Sequence, residues 1–109
     1  MSFIKMRTEI FEEIIKNVEE EKELSIAQEL FNIAYDSMNH VIKNVDDPKD
    51  INAQHMMFSR FCIMRDSVKR CCNCDLILTM DFEKIIYKLT LVSNDNFVLG
   101  CKVFSYWDD

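Results

Sequence analysis

The chain has 109 residues, a hydrophobic share of 49% and a formal net charge of −6. That length suits one domain spanning residues 1–109, and the eight Phe and seven Met supply apolar bulk that disordered chains lack. A single Gly and a single Pro exclude a loop-rich design, a glycine-rich phosphate loop and a dinucleotide fingerprint, and no apolar run reaches the roughly 18 residues of a membrane-spanning helix.

Thr8 is placed to cap a first helix running to about Lys22, with Ile10, Phe11, Ile14, Ile15 and Val18 on one side and Glu9, Glu12 and Glu13 in its early turns. The acidic run Glu19, Glu20, Glu21 and Glu23 reads as an exposed helix end and a short connection. A second helix is predicted from Ser25 to Val45. Ile26, Leu30, Ile33, Ala34, Met38, Val41 and Val45 recur at steps of three and four, and Phe31, Tyr35 and Ile42 widen the stripe. Ser25 and Gln28 have capping-box spacing, and Asp46-Asp47-Pro48 stops the pattern. This helix is the expected centre of the domain, with the first packed antiparallel on it. A third helix is predicted with Asp47 as cap and Pro48 at its first position, running to about Cys71. Its stripe is Met57, Phe61, Met64, Val68 and Cys71, broadened by Phe58, Cys62 and Cys72.

Beyond Asn73 the pattern changes. Leu76–Met80, Lys84–Val92 and Phe97–Trp107 read as three strands, the last two joined at Ser93-Asn94-Asp95-Asn96. The expected fold is therefore α+β, with three N-terminal helices packed on a C-terminal three-stranded antiparallel meander. A nearly all-α alternative exists, because Phe82, Ile85, Ile86 and Leu89 also fit helical spacing with Asp81 as cap. The strand is preferred because the final run needs a partner for its backbone groups.

In the strand reading, Ile85, Tyr87, Leu89 and Leu91 face the helices together with Phe97, Leu99, Cys101 and Val103. Ile86, Lys88, Thr90 and Val92 face outward with Val98, Gly100, Lys102, Phe104 and Tyr106. Such an outer face is too apolar to be at ease in water, and with Trp107 it has the character of a protein interface. The expected anchors are Phe104, Tyr106 and Trp107, helped by Ile86 and Val98. Gly100 is expected to relieve crowding or admit a close approach on that outer face.

Other chemistry is thinly represented. Cys71, Cys72 and Cys74, with Cys62, His55 or His40, could supply a thiolate-rich metal tetrahedron, but adjacent ligands are a poor geometry and no CxxC pair is present. Cys62 and Cys71 are instead assigned to core volume. A thiol- or histidine-dependent enzyme around Cys74 and His55 is the weakest reading. The acids Asp81 and Glu83 do not by themselves define a hydrolase pair. Five cysteines, two of them adjacent, argue for reduced thiols and a cytoplasmic setting, with the nucleus as an alternative.

Residues 1–50 carry twelve acids against six bases, which argues against general nucleic-acid affinity. Arg65, Lys69 and Arg70 leave a small nucleic-acid-binding regulator as the alternative. The leading expectation is a small acidic module that binds another protein as an inhibitor or adaptor, without a cofactor or membrane contact, and that forms a homodimer through its outer sheet face. A composition rich in Ile, Asn, Lys and Asp suggests a biased genome of the viral, phage or low-GC bacterial kind, and so a host–virus interaction.

Overall fold

The computed structural model describes the backbone of residues 3–107 and the side chains of residues 21–107. The order of elements is α1 (Phe3–Lys43), α2 (Ile51–Cys71), β1 (Cys74–Asp81), β2 (Ile86–Ser93) and β3 (Val98–Ser105). The strands form one antiparallel sheet in the order β1-β2-β3, and both helices pack on the same face of it.

Two helices, not three, cover the sheet. The expected break near Lys22 does not occur, and α1 runs for 41 residues. The reason is local: Glu19 to Leu30 contains no Gly or Pro and is dominated by Glu, Lys, Leu, Ala and Gln, all strong helix formers. A capping-box sequence at Ser25 has no role when the backbone upstream is already helical. The stripe expected at Ile10, Phe11, Ile14, Ile15 and Val18 lies outside the residues whose side chains are described. At 1.5 Å per residue α1 is about 60 Å long, and it sets the molecule's 69 Å long axis against 22 and 18 Å across.

The buried side of α1 consists of Ala27, Phe31, Ala34, Met38, Val41 and Ile42, whereas Ile26 and Ile33 are exposed. The small residues Ala27 and Ala34, both fully buried, let the helix sit close to its neighbours. Opposite them α2 buries Ala53, Met57, Phe61 and Val68. That helix starts later than its sequence signals suggest. Asp50 is the cap residue, while the Asp47 carboxylate accepts the Lys49 amide in the preceding turn at 3.0 Å. The strands add Leu76, Tyr87, Leu89, Leu91 and Phe104 to the same core, and the turn before β2 adds Ile85.

Residues 82–92 are not helical. The Asp81 carboxylate accepts the amides of Glu83 and Lys84 at 3.1 and 3.2 Å, closing a turn in place of a helix cap. Ile85 follows with φ +52°, a strained value for a β-branched residue. Its complete burial and the Tyr106 amide donating to its carbonyl at 3.3 Å hold it there.

The last strand differs from expectation in one respect that changes its whole surface. Leu91 pairs with Gly100 but Val92 pairs with Val98, so Leu99 is an extra residue in the ladder. A bulge of one residue reverses the facing of every position beyond it. Phe104, Lys102 and Gly100 therefore turn inward, opposite Tyr87, Leu89 and Leu91, and Cys101 and Val103 turn outward. The outward placement expected for Phe104, Lys102 and Gly100 is corrected accordingly. Gly100 does admit a close approach, but from the helix side: a Cβ there would lie 2.9 Å from Cε1 of Phe31.

Candidate protein interface

The ladder places the outward residues in rows across the sheet. Asp75, Val92 and Val98 form one row, followed by Ile77, Thr90 and Cys101, then Thr79, Lys88 and Val103, and last Asp81, Ile86 and Ser105. Ile77 is 45% exposed, Val98 65% and Val103 60%, because neither helix reaches this side. The face thus mixes six apolar side chains with six polar or charged ones, with Lys88 near its middle and carboxylates only along β1. An alternating strand normally presents polar residues to water, so β-branched aliphatics here are the notable feature.

The residues expected as anchors are distributed differently. Ile86 and Val98 do lie on the outer face. Phe104 is 5% exposed and sits between the Tyr87 ring, stacked at 5.3 Å, and the Tyr35 ring, edge-on at 5.5 Å. Tyr106 is half-buried, packs against the core and donates its hydroxyl to the Asp46 carbonyl at 3.4 Å. Trp107 remains exposed, with its ring edge-on to Tyr106 and its indole N–H donating to the Lys84 carbonyl at 3.0 Å. Ile86, Val103 and Trp107 line one cleft of about 270 Å³ with Tyr35, Asn39 and Lys43, at the margin between β3 and α1. Sequence reasoning missed Ile77, which the alternation of β1 about Leu76 would have found, and Val103 and Cys101, which only knowledge of the bulge would have found.

The basic residues are engaged within the chain. The Arg65 guanidinium donates to both carboxylate oxygens of Asp75, at 2.8 and 3.2 Å, and Lys69 approaches the same carboxylate at 3.7 Å. Hydrogen bonding from Arg65 holds the Asp75 carboxyl below the usual range, helped by the Leu76 amide and the charges of Arg65 and Lys69. Arg70 pairs with Asp66 one turn earlier on α2 at 2.9 Å.

The cysteines do not converge. Cys72 is buried in the core, whereas Cys62 and Cys71 are exposed, which corrects their assignment to core volume. Burial pushes the Cys72 and Cys74 thiols up, with the negative charge of Glu23 adding to both. They are accordingly neutral and poorly nucleophilic near pH 7. His55 lines a groove with Met80, while Cys74 lines a separate concavity at the other end of β1 with Cys72 and Asp75. His40 is exposed, and its carbonyl accepts the Asn44 side-chain amide at 2.7 Å. Among the described residues no three His, Cys, Asp or Glu are grouped so as to hold a metal ion, and no helix is long and apolar enough to cross a membrane.

Comparison with protein-family models, with curated proteins and with solved structures found no match to this chain.

Proposed function

We propose that the protein is a protein-binding module that acts by occupying a partner's surface, with the outer face of the sheet as its contact area. One observation carries this reading. Ile77, Val98 and Val103 stand exposed on a face that both helices leave uncovered, with Ile86 and Trp107 at the adjoining cleft. A partner that buries these branched aliphatic side chains removes apolar surface from water, and Trp107 beside them is of the residue type that most often dominates contact energy. Lys88 supplies a central charge that favours a partner bearing a carboxylate opposite it. The formal net charge of −6 weighs against the nucleic-acid alternative, because phosphate binding would have to overcome that repulsion.

The test uses the full chain as bait in cells of its source, with wild type and the Val103→Asp and Ile77→Asp variants compared side by side. Partners recovered by wild type and lost with both variants support the reading, with an expected loss of affinity of about 2 kcal/mol or more per anchor. Partners retained by both folded variants overturn it.

A further inference from the structure

A different surface lies along α2. Ile51, His55, Phe58, Cys62, Arg65 and Lys69 follow one another at helical steps of three and four, on the side of α2 next to β1. Phe58 is 62% exposed and Ile51 68%, and with Leu78, Met80 and Tyr87 they line a groove of about 360 Å³. The far end of this side is cationic, since the single carboxylate of Asp75 serves both Arg65 and Lys69. Across α2 as a whole four cations stand against one carboxylate.

α1 is much longer than the helix it packs on. The two helices run antiparallel from the connection at residues 44–50, and α2 has 21 residues, so α1 counted back from Lys43 draws level with the end of α2 near Glu23. Residues 3–20 therefore continue as about 27 Å of helix beyond α2, which is itself about 31 Å long. The sequence from Glu9 to Glu23 holds seven Glu against two Lys, together with the apolar residues Ile10, Phe11, Ile14, Ile15 and Val18. An acidic, apolar helical arm and a groove that is apolar at one end and basic at the other occur on the same chain, at matching lengths.

We infer that the α1 arm of a second copy lies in the groove between α2 and β1, and that the exchange is reciprocal. The polarity of the groove fixes the direction. Glu19–Glu23 of the arm lie by Arg65 and Lys69, and the apolar run lies over Phe58 and Cys62, so the arm is parallel to α2. Within one chain α1 is antiparallel to α2, so the incoming arm is antiparallel to the α1 of the copy that receives it. A twofold axis perpendicular to the helices generates that arrangement and seats both arms at once. A helix about 10 Å wide over 27 Å covers about 270 Å². Two arms and two grooves together exceed the roughly 1,000 Å² at which specific interfaces begin. This is a helix-in-groove contact steered by charge, and it leaves the outer sheet face uncovered.

Sedimentation equilibrium of the full chain tests the inference. Wild type is expected to be a dimer that weakens as salt rises. Phe58→Asp in the groove and Ile14→Asp in the arm should each raise the dissociation constant about tenfold or more, while Val103→Asp on the outer sheet face leaves it unchanged. Far-UV circular dichroism checks each variant's fold, and the arm variant stands if Phe58→Asp fails to fold. A wild-type monomer up to about 1 mM, a dimer indifferent to both groove and arm variants, or a dimer broken by Val103→Asp alone would overturn it.

Discussion

Replacing Gly100 by Ala puts one methyl group against the ring of Phe31 on α1. The added Cβ would lie 2.9, 3.2 and 3.5 Å from three ring carbons of Phe31, where carbon atoms prefer about 3.5–4.0 Å. Phe31 is 4% exposed and sits in the core cluster, although a shallow concavity beside it and Gly100 gives the ring some room to yield. Overpacking of this kind costs about 1–3 kcal/mol. The loss of glycine's freedom in the unfolded chain returns about 0.4–1 kcal/mol. The expected net loss is about 0–2.6 kcal/mol, and its upper end would lower Tm by about 10 °C or more. Thermal and urea unfolding followed by circular dichroism measure it, and a cycle with Phe31→Leu isolates the contact. Phe31→Leu should cost less stability in the Gly100→Ala background than in wild type, because the smaller side chain makes room for the methyl. Equal costs of Phe31→Leu in both backgrounds would refute the inward placement of Gly100 and with it the register beyond the bulge.

Two further outcomes follow from the same packing. Phe104→Ala removes a ring held between Tyr35 and Tyr87 and should destabilise the fold by about 3–5 kcal/mol, measured by urea unfolding. Asp75→Asn should lower stability at neutral pH. Because the folded carboxyl titrates below its unfolded value of about 3.9, wild type's advantage is fully present above that pH and disappears as the pH falls through the lower, folded value. Unfolding of the two proteins across that window checks the sign.

Much of the architecture is legible in the residues. Asp46-Asp47-Pro48 ends α1 near Lys43, the Met57/Phe61/Val68 stripe marks the buried side of α2, and the alternation of Tyr87, Leu89 and Leu91 marks β2 as a half-buried strand. What sequence periodicity misreads are features without a signature of their own. The acidic stretch before Ser25 resembles a connection because it lacks apolar residues, yet Glu and Lys sustain a helix in water as readily as they line a loop. The bulge at Leu99 is set by how one extra residue fits between the Ser93–Phe97 turn and the core, and no local pattern announces it. That single residue moves Phe104 from the supposed interface into the core and brings Val103 and Cys101 out. The outer face keeps an apolar share in either register because β3 carries apolar residues at both parities, so its character was readable while its membership was not.

Cys101 offers a natural reporter of that face. Its thiol is exposed, within reach of the Thr90 hydroxyl in the row next to Lys88 and Val103, whereas Cys62 reports the α2 side. Alkylation of both thiols in the free protein and in the complex with its captured partner, read by mass spectrometry, measures which surface is covered. If the outer sheet face is the working surface, Cys101 is alkylated readily in the free protein and at least about tenfold more slowly in the complex. Equal rates at Cys101 in the two states would contradict the account.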